Sequence, residues 1–363
     1  MSVVSGERVH GQDEDILLEL DDIECRYDDE PVIRGLSFRL RRGQVACLLG
    51  PSGCGKTTAL RAIAGFEPVR AGEIRLAGEV ISRPGYTQPP ENRRLGMVFQ
   101  DYALFPHLNI YENITFGLRD HTRAERRARA DELLELVDMR GMGTRYPHEL
   151  SGGQQQRVSL IRAVAPRPRL VLLDEPFSNL DVDLRERLAR EVHDIFRDQG
   201  VTAILVTHDQ HEAFAVADVI GLLKDGRIEQ WDTPYNLYHE PASRFVAEFI
   251  GQGVLIPATL RDHNRLQTEV GTLLGNRAYP WPNDTAVDIL LRPDDVRLMP
   301  ESHLRARVAN RAFKGAETIY TLRLESGRQV LALAPSHDVY PEGTDVGIRI
   351  DAQHLVAFRR EEE

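Results

Sequence analysis

Gly50 to Thr58 reads Gly-Pro-Ser-Gly-Cys-Gly-Lys-Thr-Thr, between an apolar run, Gln44 to Leu49, and a helix-compatible stretch, Thr57 to Ile63. The pattern G-x-x-x-x-G-K-[ST] in a strand–loop–helix context commits this part of the chain to an α/β layer built around a polyphosphate. Glycines let successive backbone N–H groups turn inward, and the helix that follows adds partial positive charge. Gly50, Pro51, Ser52, Gly53, Cys54, Gly55, Lys56, Thr57 and Thr58 are therefore expected to hold a nucleotide. Lys56 would supply a mobile charge to the outer phosphates, and the Thr57 hydroxyl would ligate Mg²⁺. An ordinary glycine-rich turn would not need both flanks.

Two further apolar runs end in chemistry. Arg169 to Pro176 carries four apolar residues and then Asp174 and Glu175. Such a run fits a strand buried on both faces of a parallel sheet, with its reactive groups at the carboxyl end. Asp174 is expected to hold the Mg²⁺ shell, and Glu175 to face a water attacking the γ-phosphate. Ile204 to Val206 leads in the same way to Thr207 and His208. A lone histidine is commonly a surface residue, but here it follows a strand of the same design, so His208 is a candidate for the γ-phosphate and its attacking water. Leu150 to Arg157, Leu-Ser-Gly-Gly-Gln-Gln-Gln-Arg, is a polar, glycine-centred octet that no hydrophobic core would require.

These motifs, in this order from about Leu17 to Gly251, resemble the ATP-binding subunits of ABC transporters. The octet resembles that family's signature motif, Gln100 after Leu95 to Phe99 its Q-loop, Ser178 to Asp181 its D-loop, His208 its switch histidine, and Tyr27 the aromatic residue that stacks on adenine. The resemblance implies an α/β P-loop NTPase cassette with a helical subdomain, using ATP and Mg²⁺. It also implies a homodimer in which Ser151, Gly152, Gly153, Gln154 and Asp181 of one copy complete the nucleotide site of the other. Gln100 would sense metal and water, Glu175 would act as base, and His208 as switch. Phosphoryl transfer to water agrees with this set, since it needs mainly positioning and charge neutralisation.

The 363 residues suffice for two domains. We expect a flexible N-terminus over 1–14, a cassette over 15–250 with its helical subdomain at about 101–165, and a smaller all-β, OB-like regulatory (TOBE-like) domain over 251–363. Helical patterning covers Asn109 to Leu118 and Thr122 to Val137. In the family the segment from Gln100 to His107 receives the membrane permease subunit. β-rich runs are expected at Val254 to Leu260, Ala286 to Leu291, Leu304 to Val308, Ile319 to Leu324, Gln329 to Leu333 and Val346 to Ile350. Ile289 to Arg297 resembles the motif of the C-terminal domain appended to importer ATPases.

A net charge of −11 argues against nucleic acid as a partner. No stretch approaches the roughly 20 apolar residues of a membrane span, and the polar N-terminus has no signal-peptide core. The expected place is the cytoplasmic face of the bacterial inner membrane, attached through permease subunits and served indirectly by a substrate-binding protein. Cys25, Cys47 and Cys54 have no metal-ligand spacing. Cys25 and Cys47 read as buried hydrophobes. Cys54 lies where Lys56 and a helix N-terminus would lower its thiol pKa and open it to redox control, the plainer reading being a small residue that fits the loop. Single histidines such as His263 and His337 read as surface residues.

Arg145 to Leu150 and Phe249 to Pro257 resemble ferric-iron importer ATPases. Polyamine, sulfate and sugar importers share most other motifs and stay open as alternatives. A soluble ABC ATPase of DNA repair or translation would call for a coiled-coil insertion, two cassettes or basic patches.

Overall fold

The central strands of the parallel sheet are built from largely apolar runs, as expected where both faces of a sheet are covered. The computed structural model describes residues 15–27, 30–178, 180 and 182–360, without the side chains of 182 and 183. The expectations for 1–14 and for Asp181 lie outside the described residues.

The chain divides into two units, one ending at Pro234 and one beginning at Tyr235. The first opens with β1 (Ile16–Tyr27) and β2 (Glu30–Arg41), then β3 (Val45–Leu49), α1 (Lys56–Ala64), β4 (Ala71–Leu76), β5 (Glu79–Arg83), β6 (Tyr86–Thr87) and β7 (Leu95–Val98). The helical stretch follows, with α2 (Ile110–Thr115), α3 (Arg123–Leu136) and α4 (Gly152–Val164). β8 (Leu170–Asp174), α5 (Val182–Asp198), β9 (Ala203–Thr207), α6 (Gln210–Val216), β10 (Val219–Lys224) and β11 (Arg227–Asp232) complete it.

One sheet, in the order β2-β1-β4-β5-β6, is antiparallel; the other runs β11-β10-β3-β9-β8-β7. In the second sheet β10, β3, β9, β8 and β7 are mutually parallel, and only the edge strand β11 is antiparallel. All five residues of β3 and of β9 are buried. β2 instead alternates buried and exposed residues along its second half, as a strand with one wet face should. Leu18, Ile63, Leu172 and Ile204 share one core, so the antiparallel sheet, α1 and the parallel sheet close on a single apolar layer.

The helices start where the sequence offers reciprocal caps. Asn109 with Glu112, Thr122 with Glu125 and Ser151 with Gln154 each form a capping box, side chain to backbone in both directions. No described helix is long and apolar enough to cross a membrane.

The second unit begins one residue into α7 (Pro234–His239) and continues with α8 (Arg244–Phe249), β12 (Val254–Asp262), β13 (Arg265–Thr268), β14 (Gly271–Leu274), β15 (Ala286–Leu291), β16 (Val296–Leu298), β17 (Arg305–Phe313), β18 (Glu317–Arg323), β19 (Gln329–Pro335), β20 (Asp345–Ile350) and β21 (Ala357–Arg359). They form two five-stranded sheets, β14-β13-β12-β15-β21 and β16-β20-β17-β18-β19, around a core that includes Ile256, Leu266, Ile289, Tyr320, Val330 and Ile348. Its division from the first unit falls earlier than the change of composition near Gly251, and a buried arginine explains the difference. Arg292 is 3% exposed and donates to the carbonyls of Tyr238, Ala247 and Gln252, while its guanidinium lies 4.5 Å from the Tyr238 ring centre. Ala247 also packs with Leu290 and Val356. Both short helices therefore belong with the β unit.

Candidate functional site

Strand register brings the candidate residues to one edge. Leu49 of β3 pairs with Thr207 of β9, Val206 of β9 with Asp174 of β8, and Val98 of β7 with Leu173 of β8. The residues that follow, Gly50, His208, Glu175 and Gln100, emerge side by side at the carboxyl ends of four adjacent parallel strands. This is where open α/β sheets bind ligands.

The phosphate loop turns on three glycines with positive φ: Gly50 at 155°, Gly53 at 81° and Gly55 at 104°. At Gly50 a Cβ would lie 2.4 Å from the Leu223 carbonyl oxygen and 2.9 Å from Cys54 Sγ; at Gly55 it would lie 2.6 Å from Ile33 Cδ1. Glycine is required there both for the dihedral and for the approach of β2 and β10. Lys56, 6% exposed, donates from Nζ to the carbonyls of Gly50 at 2.8 Å and Pro51 at 2.9 Å, so its charge sits inside the curl of the loop. Pro51, Ser52 and Gly53 are exposed on its rim, Thr57 is partly exposed and Thr58 is buried against the core. Tyr27, at the end of β1, is 42% exposed.

Thr57 Oγ1 donates to Asp174 Oδ1 at 3.1 Å. Burial pushes the Asp174 carboxyl above the ordinary aspartate range; the bond from Thr57 opposes this and the charge of Glu175 adds to it. Glu175 itself has φ 44°, a left-handed conformation a long side chain rarely adopts. Its amide donates to the Val206 carbonyl at 3.0 Å, and its own carbonyl accepts from Ser178 Oγ at 3.0 Å. His208 Nδ1 stands 3.4 Å from Glu175 Oε2. A hydroxyl beside one carboxylate, and an imidazole beside a second, suit a hard cation and an activated water respectively. Thr57 and Asp174 together offer a cation one hydroxyl and one carboxylate. That donor set fits Mg²⁺, which usually keeps phosphate and water oxygens in its shell.

Cys54 differs from the expected low thiol pKa. It is buried, burial pushes its thiol up, and Lys56 opposes this only in part. Cys25 and Cys47 are fully buried, as expected of small hydrophobes.

Ser151 and Gln154 cap α4, with Ser151 and Gly152 exposed and Gly153 buried 3.1 Å, at a built Cβ, from Leu184 of α5. No hydrogen bond or ion pair among the described residues joins this helix start to the phosphate loop. One chain thus brings together Lys56, Thr57, Asp174, Glu175 and His208.

Several residues of this region escaped the sequence reading. Asn113, fully buried on α2, donates to the carbonyls of Phe105, Leu108 and Asn109 and accepts from the Phe105 amide. Ser159 and Arg162 of α4 donate to the carbonyl of Tyr102, and Arg162 also to that of Ala103. The segment after Gln100 is thereby tied to the helix that begins with the octet. Arg185 and Glu212 were also missed, and only their charge on otherwise core-facing positions hinted at them.

Family models match this chain at residues 33–178, as ABC transporter, and at 289–358, as TOBE domain. A spermidine/putrescine import ATP-binding protein of Pseudomonas aeruginosa is 39% identical over 94% of this chain and 98% of its own length. A sulfate/thiosulfate import ATP-binding protein of Chromobacterium violaceum is 45% identical over 80% of this chain and 79% of its own, and an Fe(3+) ions import ATP-binding protein of Haemophilus influenzae is 41% identical over 83% and 86%. Among solved structures, CbiO1 of Clostridium perfringens, part of an ABC transporter complex, superposes with a TM-score of 0.58 at 26% identity, covering 62% of this chain and 92% of that one.

Proposed function

The chain belongs to the ABC transporter family as the ATP-hydrolysing subunit of an importer, with ATP and Mg²⁺ as its cofactors, and on that premise we propose that two copies close around ATP to drive the import of ferric iron. The observation that carries the chemistry is the pair of contacts at the strand ends, Thr57 to Asp174 and His208 to Glu175. Lys56 and the backbone N–H groups of the phosphate loop, to which Pro51 adds none, neutralise the phosphates. Thr57, Asp174 and Gln100 hold Mg²⁺, which when bound supplies charge neutralisation for the transferring phosphoryl group. Glu175 accepts the proton of the attacking water, and His208 holds the Glu175 carboxylate in place. Tyr27 stacks on adenine.

Ser151, Gly152, Gly153 and Gln154 sit at a helix N-terminus, suited to an anion presented by a second copy. Permease subunits dock against the segment from Gln100 to His107, where the Phe105 ring lies tilted, 4.4 Å between centres, against a Phe116 that is 46% exposed. On this reading the dimer works at the cytoplasmic face of the inner membrane, supplied by an external binding protein and touching no nucleic acid.

Ferric iron rests on Arg145 to Leu150 and Phe249 to Pro257, the stretches that resemble iron importers. A polyamine cargo is the second reading, carried by the near full-length match to a spermidine/putrescine import protein. Uptake of labelled ferric iron, spermidine and sulfate in cells lacking this gene, complemented with wild type or Glu175→Gln, separates them. We expect wild type alone to restore iron uptake, with the variant's ATP turnover at least ~10²-fold lower, as for loss of a general base. Restored spermidine or sulfate uptake with unchanged iron uptake would overturn the cargo and leave the engine.

A further inference from the structure

We propose that Arg185 and Glu212 form a positioning clamp that fixes His208 against Glu175. Glu212 is a carboxylate only 5% exposed, on a helix that otherwise packs on the parallel sheet, and the reaction chemistry gives it no task. A carboxylate buried without partners is strongly disfavoured, so its surroundings explain why it is there. Its Oε2 accepts from Thr207 Oγ1 at 2.5 Å, and its Oε1 lies 3.5 Å from Arg185 Nε.

The guanidinium of Arg185 reaches three places at once. Nη1 donates to Asp209 Oδ2 at 3.1 Å, Nη2 donates to the Leu180 carbonyl at 3.0 Å, and Nε faces Glu212. Nε makes no hydrogen bond among the described residues, so its tie to Glu212 is an ion pair rather than a directed bond.

These partners flank the two reacting groups. Thr207 and Asp209 stand on either side of His208, and Thr207 Oγ1 also accepts from the Asp209 amide at 3.0 Å. Asp209 in turn caps α6 through the amides of His211 and Glu212. On the other side, Leu180 ends the turn that begins at Glu175, where the Leu180 amide bonds Phe177 and the Ser178 amide bonds Glu175. One planar fork therefore spans the turn carrying Glu175 and the strand end carrying His208. A lysine, with a single compact charge, cannot match that geometry. The clamp acts through His208 and Glu175 and touches no reactant, so its effect falls on turnover rather than on nucleotide affinity.

This inference rests on the roles given above to Glu175 and His208, and the test keeps the two apart. ATP turnover and KM of the purified full-length chain would be measured for wild type, Glu212→Gln, Arg185→Gln, the double Gln variant, Arg185→Lys, Glu175→Gln and His208→Ala, each with its melting temperature. We expect Glu212→Gln and Arg185→Gln to lose about 10- to 10²-fold in kcat, the scale of a displaced catalytic group, with KM for ATP unchanged. Arg185→Lys should not rescue. The double variant, which leaves no unpaired buried charge, should fall no further than the worse single, the mark of residues acting as one unit. Wild-type kcat in the Gln variants, additive losses, or losses that track the unfolded fraction would overturn the clamp. If Glu175→Gln and His208→Ala turn over normally, the site reading fails instead.

Discussion

Asp174 shows how one residue's surroundings set a condition on the whole reaction. In the role proposed for it, Asp174 must be charged to ligate Mg²⁺, yet burial raises its pKa above that of a free aspartate. As pH falls it therefore takes up a proton earlier than an exposed carboxylate would, and the metal loses its ligand. We predict that apparent Mg²⁺ affinity, read from metal titrations of ATP turnover, weakens as pH drops, starting above the ordinary aspartate range. Asp174→Asn, which has nothing to titrate, should bind Mg²⁺ more weakly and without that dependence. An identical pH profile in the variant would assign the titration elsewhere. The glycines of the loop were legible in sequence because each answers a local demand of backbone geometry. Arg185, Glu212 and Asn113 were not, because their partners lie on other elements and only folding brings them within reach.

Arg93 carries a large polar load between elements. Only 2% exposed, it donates to the carbonyls of Ala62 and Ile63 at the end of α1, to Gln88 and Ile81, and to Ser82 Oγ. A cation at a helix C-terminus is also favoured by the helix dipole. Burial pushes its pKa down to about 10, which still leaves it charged near neutrality. Arg93→Met would strand these acceptors in the interior, where each unsatisfied group costs about 1–3 kcal/mol. We predict a loss of about 3 kcal/mol or more in denaturant unfolding of the first unit; less than about 1 kcal/mol would mean water replaces the guanidinium. The elements themselves were largely readable. The caps at Asn109, Thr122 and Ser151 start α2, α3 and α4, and six expected β runs all lie within or overlap strands. β13, β14, β16 and β21 were missed because each is only three or four residues long, too short to show a period. The part that Arg292 plays, inside the β region, in holding two helices that precede it was not legible, because its partners lie about 40 to 54 residues upstream.

At the scale of the molecule, each unit has apolar clusters of its own, and the residues proposed for the nucleotide chemistry lie in the first. We predict two calorimetric unfolding transitions that can be moved independently. Mg-ATP should raise the first, by about 2.7 kcal/mol at a free concentration a hundred times Kd, and leave the second alone. The second carries its own marker in Asp295, whose carboxyl burial pushes up from 3.8 to about 6 while it accepts from the Arg292 amide at 2.8 Å. Because the folded state holds this proton more tightly, its contribution is complete below pH 3.8 and is lost as pH rises through about 6. Between those values the second transition should therefore fall relative to Asp295→Asn, in which that slope is absent. One cooperative transition responding to both ATP and Asp295→Asn would mean that the nucleotide's binding energy reaches the β unit. The C-terminal unit would then be part of the same two-state element as the ATPase rather than a separately stable attachment.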